Sequence, residues 1–229
     1  DSMRAATTGS HNVGVGYNTL ATLSSASSNT AVGSATLDAI TTGDANTGVG
    51  RFAGGLITTG IGNTAVGYQA LDANETGSYN VAIGFDALSA NTAGNNVAVG
   101  TNALVANTTA SNNTAVGRSA LETCTTGAQN TMVGADAGDA VTTGANNTGV
   151  GYEALGKLTT GGDNVGIGRA SGLDRTTGGG NVSVGVEAME NGTTGSNNTA
   201  LGKQAGRSIT TGSNLLVLGA FSGNSGSPG

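Results

Sequence analysis

Apolar and polar positions follow one short pattern along this chain, written thirteen times. Val or Thr stands three residues before a glycine at Val13, Thr30, Thr47, Thr64, Val81, Val97, Thr114, Thr131, Thr148, Val165, Val182 and Thr199. Val, Ile or Leu stands one residue before it, from Val15 and Val32 to Ile167, Val184 and Leu201. Between them lies a small residue such as Gly14, Ala31, Ala65 or Gly166, with Met132 the exception. The closing glycines run Gly16, Gly33, Gly50, Gly67, Gly84, Gly100, Gly117, Gly134, Gly151, Gly168, Gly185, Gly202 and Gly219. Every step is seventeen residues except the sixteen from Gly84 to Gly100. Alternation over three residues predicts a short strand, and a fixed period of this length predicts a solenoid. The fold expected is all-β: a parallel β-solenoid, or β-roll, of thirteen 17-residue coils. Stacked at strand spacing these make a rod of roughly 60 Å.

The two faces of each strand differ. One carries the β-branched residues and the other is nearly bare. The expectation is that the Val/Ile face lines the coil interior and the Ala/Gly face invites a second backbone. Three and four residues after the glycine comes a second apolar pair, as in Ala70–Leu71, Ala120–Leu121 and Ala188–Met189. Where glycine replaces the leucine (Gly54, Gly138, Gly206), Ile57, Val141 or Ile209 follows three places later. Volume is thus exchanged between neighbouring core positions. Thr-Thr-Gly closes most coils, and glycine is expected there for its positive φ. The asparagine that follows, from Asn46 and Asn63 to Asn181 and Asn198, predicts a side-chain ladder along the stack. Helix is limited to single turns at segments such as Gln69–Asp72, because Val-Gly, Thr-Thr-Gly and Asn-Asn recur too often.

Composition narrows the function. Only 10% of residues are charged and the net charge is -6, with no basic stripe to follow a nucleic-acid backbone. No apolar run approaches the roughly 20 residues of a membrane span. The chain is expected to divide into an N-terminal extension over 1–10, one solenoid domain over 11–221 and a Gly/Ser-rich tail over 222–229. Each coil offers few buried side chains, a thin core against the entropy of ordering its backbone. Three chains packed around one axis would bury the bare Ala/Gly face and enlarge that core, so a homotrimer is expected in preference to a monomer or another assembly.

Candidate chemistry is sparse. Cys124 stands where other coils carry Ile40, Ile57 or Val141 and reads as a small buried hydrophobe. His11 is the only histidine, so a His-based triad or metal cluster has little to build on. Asp38, Asp72, Glu122, Asp139 and Glu190 read as a solvated edge. Neither a catalytic site, a cofactor site nor a metal site is expected, and the chain is not read as an enzyme. Asn-x-Ser/Thr occurs at Asn74, Asn107, Asn112, Asn146, Asn181, Asn191 and Asn197, at the frequency this composition yields by chance. The residues directly after the glycine form a candidate receptor-contact column: Tyr17, Arg51, Tyr68, Phe85, Arg118, Tyr152 and Arg169. Aromatic residues and arginine are frequent anchors at binding surfaces, and here they either contact a receptor or cap the edge between coils or chains.

The strings NTAVGYQAL, NVAIGFDAL, NNVAVGTNAL and NTAVGRSAL resemble the head repeats of YadA-type trimeric autotransporter adhesins. They resemble repeats of bacteriophage tail-fibre proteins equally well. The resemblance spans nearly the whole chain and rests on the Asn, Val/Ile and Gly of each coil. It implies a left-handed trimeric β-roll, extracellular on a cell surface or virion, that contacts a cell-surface glycan or protein receptor. The coil is a few residues longer than the adhesin head coil. No heptad-patterned stalk or membrane-anchor barrel is seen, which fits a fragment or a fibre segment. The leading expectation is a non-enzymatic fibrous protein for adhesion or receptor binding. Alternatives are a self-assembling subunit of an extracellular filament and an ice-binding solenoid that uses the Thr-Thr pairs.

Overall fold

A computed structural model of the chain describes Met3 and residues 8–219. Most of the expected N-terminal extension (residues 1, 2 and 4–7) and the tail over 222–229 lie outside the described residues. The fold is an all-β parallel solenoid without helix among the described residues. It forms two compact units, Asp1–Arg118 and Ser119–Gly229. The first carries β1 (Val13–Val15), β2 (Thr30–Val32), β3 (Thr47–Val49), β4 (Thr64–Val66), β5 (Val81–Ile83), β6 (Val97–Val99) and β7 (Thr114–Val116). The second carries β8 (Thr131–Val133), β9 (Thr148–Val150), β10 (Val165–Ile167), β11 (Val182–Val184), β12 (Thr199–Leu201) and β13 (Leu216–Leu218).

Within each unit every strand pairs in parallel with the next, one whole coil further on. Val13 lies opposite Thr30 and Thr148 opposite Val165. The short step does not disturb this register, since Val81 still faces Val97. The missing residue comes out of the corner before Asn96, where Ala93 takes the place of the usual glycine as acceptor for Asn80 Nδ2, at 2.8 Å.

The interior is the reverse of the sequence expectation. The middle residue of the strand points inward: Ala31, Ala65, Ala82, Ala98, Ala115 and Ala200 are fully buried. The β-branched residues on either side are half-buried or exposed, with Val32, Val49, Val150 and Ile167 each 37–40% exposed. The physical reason is the width of the coil. Leu20, Leu37, Leu71, Leu88, Leu104, Leu121 and Leu155, four places after the glycine, are fully buried and already fill the lumen. A Cβ on Gly48 would stand 3.0 Å from Leu37 Cγ, and one on Gly166 would stand 2.8 Å from Leu155 Cγ. Only a small residue fits opposite such a leucine. Met132 is admitted because Gly138 stands where the leucine would be: a Cβ there would lie 3.0 Å from Met132 Cε. The bare face is therefore core, and it is the β-branched face that lacks a covering layer.

The corners alternate left- and right-handed residues, which explains the absence of the helical turn expected at Gln69–Asp72. Gln69 and Leu71 both have positive φ, at 52° and 56°. The closing glycine is also left-handed, as at Gly33 with φ 139°, and a Cβ there would lie 2.6 Å from Gly50 O in the next coil. The Thr-Thr-Gly glycines differ from expectation. Gly43, Gly60 and Gly144 do not have positive φ; they are glycine because the next coil's carbonyl lies where a Cβ would go.

The asparagine ladder is present. Asn46, Asn63, Asn80, Asn147 and Asn164 are buried, and each Oδ1 accepts from the asparagine one coil later. Asn130 Oδ1 takes Asn147 N at 2.9 Å and Asn147 Nδ2 at 3.0 Å. Asn147 Nδ2 also donates to Gly161 O at 3.0 Å. The rung thus satisfies backbone groups at two corners that no strand reaches. Asn147→Ala strands the Asn164 N–H and the Gly161 carbonyl. At about 1–3 kcal/mol for each orphaned group, it should destabilise by about 2–6 kcal/mol in urea unfolding. Lys203→Ala, on an exposed side chain, should stay within about 0.5 kcal/mol.

Candidate binding surface

The residue after the left-handed glycine leaves the coil on its outer side. All seven members of the predicted column are exposed: Tyr17, Arg51, Tyr68, Phe85 and Arg118 in the first unit, Tyr152 and Arg169 in the second. The structure brings three of them into one cluster, with a fourth residue that the sequence reading did not single out. The Arg51 guanidinium lies 4.5 Å above the Phe52 ring and 6.0 Å from that of Tyr68. Phe52 meets Tyr68 edge-on at 6.3 Å, and Tyr68 stacks on Phe85 at 5.4 Å. Consecutive coils stand close enough for aromatic contact, so neighbours in the column become one cationic and aromatic patch. Tyr17 is not part of it, because Ser34 occupies the intervening coil. Phe52 was legible only as the next residue along.

In the second unit the same neighbourhood is ionic. Arg169 pairs with Glu187, which also accepts from Gln204 Nε2 at 2.8 Å. Arg207 bridges Glu187 at 3.5 Å and Glu190 at 2.5 Å. Hydrogen bonds from Gln204 and Arg169 hold the Glu187 carboxyl below its ordinary value. Lys157 Nζ meets Asp174 at 2.7 Å, one coil apart, which raises the lysine. Such exposed pairs contribute little stability individually.

Beside the column runs the outer face of the strands. Val32, Val49 and Ile83 in the first unit, and Val133, Val150, Ile167 and Leu201 in the second, form a repeated exposed aliphatic row. Soluble surfaces seldom present contiguous apolar rows of this kind without a binding role.

The carboxylates read as a solvated edge are partly withdrawn from water. Asp38 and Asp72 reach over Gly55 from opposite sides: a Cβ on Gly55 would lie 3.5 Å from Asp38 Oδ1 and 2.7 Å from Asp72 Oδ1. Burial raises both above 3.8, and the charge of Asp72 raises Asp38 further. Asp139 is raised for the same reason, with Asp136 adding repulsion. No group of three or more His, Cys, Asp or Glu side chains able to hold a metal occurs among the described residues. Cys124 is buried as expected; its thiol donates to Gly127 O at 3.3 Å, and burial pushes it up to about 11. His11 is exposed, with Nδ1 3.0 Å from Ser10 Oγ. Of the Asn-x-Ser/Thr sites, Asn74, Asn107 and Asn181 are buried and closed to modification. In the Thr-Thr pairs the first hydroxyl is committed to the next coil: Thr41 Oγ1 donates to Thr58 O, and Thr159 Oγ1 to Thr176 O. That halves the array an ice-binding face would need. The sequence reading also missed Arg175, which is fully buried; its alignment with Ile40, Ile57 and Val141 was the available signal.

A carboxyl raised on folding stabilises below its ordinary value, and that contribution is lost as pH rises through the raised value. Asp72→Asn should therefore raise the melting temperature at pH 7 and leave it nearly unchanged near pH 3, which thermal melts across the acidic range will read. With this geometry in place, the chain matches no protein-family model, no curated protein and no solved structure.

Proposed function

We propose that the chain is a segment of a trimeric, non-enzymatic fibre, displayed on a cell or virion surface, that serves adhesion or receptor binding. The observation that carries this reading is the outward row of Val, Ile and Leu. Burying one half-exposed residue of this kind is worth about 1 kcal/mol. The row repeats in every coil, so the gain from a second and third copy accumulates along the stack. A homotrimer that turns this face to its axis covers the row and leaves the loop edges, with their charged and aromatic residues, for a partner. The resemblance of the repeats to trimeric adhesin heads and phage tail fibres supports the same assembly.

On this reading the Arg51, Phe52, Tyr68 and Phe85 patch is where the first unit meets a cell-surface glycan or protein. Aromatic faces and a guanidinium suit either kind of receptor. A repetitive stack multiplies weak contacts through avidity.

Sedimentation equilibrium tests the assembly. The wild-type chain should sediment at three times its 21.8 kDa. Val49→Lys with Val150→Lys should sediment at one chain mass with an unchanged far-ultraviolet spectrum. A monomeric wild type overturns the trimer, and a mass that grows without limit with concentration points to an end-to-end filament instead.

A further inference from the structure

One surface cation is set apart from its neighbours. Lys157, Arg169 and Arg207 each meet a carboxylate one coil away. Arg51 meets none among the described residues. The reason lies in the following coil. Glu187 stands eighteen residues after Arg169 and accepts from it. The corresponding place after Arg51 is Gln69, whose amide turns to Asp72 Oδ2 at 3.5 Å. The Arg51 guanidinium rests instead over the Phe52 ring, 4.5 Å from its centroid. A ring is no substitute for an acceptor, so the N–H fork of the guanidinium stays open to an anion.

Beside this cation stands an aromatic ledge two coils long. Tyr68 and Phe85 stack at 5.4 Å with their rings 15° from parallel, and both are exposed. Short polar residues bound the patch in the same column, Ser34 before Arg51 and Thr101 after Phe85. Half-buried Asp72 and Asp86 lie on the same coils as the two rings, and the charge of Asp86 raises Asp72. The patch is thus one open cation and two rings against an acidic background.

These groups select a ligand class. A protein anchor works best in a closed, dry surround, and this ridge is polar at both ends. A densely charged polyanion would meet one cation and two carboxylates. A glycan with one carboxylate among neutral sugars suits every group. Its carboxylate takes the Arg51 fork, and the apolar face of a neighbouring sugar covers the rings. Its hydroxyls lie toward the aspartates. Coils advance by about 4.8 Å, close to the length of one sugar ring, so such a chain keeps step with the column. We propose that Arg51, Tyr68 and Phe85 form a binding site for a sparsely carboxylated glycan lying along the stack. This rests on the reading of the chain as a receptor-binding surface fibre, and it narrows the partner from a glycan or protein to an acidic glycan.

The test applies the whole chain to a panel of immobilised linear oligosaccharides. Each carries one uronic or sialic acid among neutral sugars and stands beside its carboxyl-reduced counterpart. The wild type should bind acidic members and lose about tenfold or more in affinity on carboxyl reduction. Arg51→Gln should lose as much and become indifferent to reduction. Arg51→Lys restores the charge without the fork and should regain only part. Phe85→Ala should weaken acidic and reduced members alike, by several-fold. These side chains are exposed, so far-ultraviolet spectra should not change. Binding that ignores carboxyl reduction, or that survives Arg51→Gln, overturns the proposal. The same preparation is sedimented. A trimer that binds no member overturns the glycan site alone and leaves a protein as the partner of the patch. A monomer that binds none overturns the fibre reading with it.

Discussion

Everything in this solenoid depends on a corner that no strand can reach. A coil made of one three-residue strand and a long run of turns and bends leaves most of its backbone N–H and C=O groups outside the sheet. Where those groups are buried, each needs a partner. The strands answer for three residues in seventeen, and backbone bonds between coils, such as Leu37 N–H to Ala53 O and Thr41 N–H to Thr58 O, answer for several more. The asparagine before each strand answers for the corner: its oxygen takes the backbone and side-chain donors of the next asparagine, and its amide reaches a carbonyl further along that coil. Threonine hydroxyls at the Thr-Thr-Gly turn do the same one corner earlier. Together with the backbone bonds between coils, these hold one coil against its neighbour at a fixed separation. That separation is too small for a Cβ at the closing glycine, and it brings successive side chains of a column within ring-stacking distance. The glycine column and the aromatic patch are both consequences of it.

Much of this was legible in the sequence. The period, the strand positions, the asparagine ladder and the buried cysteine all follow from reading the columns. What did not follow was which strand face is inside. Alternation separates two faces but does not label them. The usual assumption, that the β-branched face is core, failed because the leucine after the glycine had already claimed the lumen. Gly48 and Gly166 show how little room it leaves. The left-handed φ of those leucines was not readable either, since residues of that type are rare in that conformation. The Thr-Thr-Gly glycines were assigned the wrong cause for a related reason. A glycine required for close approach and a glycine required for φ look alike in one dimension.

The reversal changes what the surface can do. A small inward face gains nothing from a partner, whereas a row of half-exposed Val and Ile would gain from being covered, and the proposed trimer rests on that. The same logic of volume sorts the exceptions. Met132 is paid for by Gly138, as Ile57 compensates for Gly54. At Gly172 the replacement volume is Arg175, which restores size but not polarity. That one substitution turns a packing rule into a charge problem, and it sits beside a buried pair of serine hydroxyls in hydrogen-bond contact, Ser171 and Ser183.

The central claim is that the asparagine rung is as much a part of the fold as the strands are. Native-state amide hydrogen exchange measures this directly. If the rung holds the corners, the backbone N–H groups of Asn46, Asn63, Asn147 and Asn164 exchange as slowly as those of the neighbouring strands, and only through global unfolding. Exchange of these four at the rate of the exposed turns, while the strands stay protected, would contradict it.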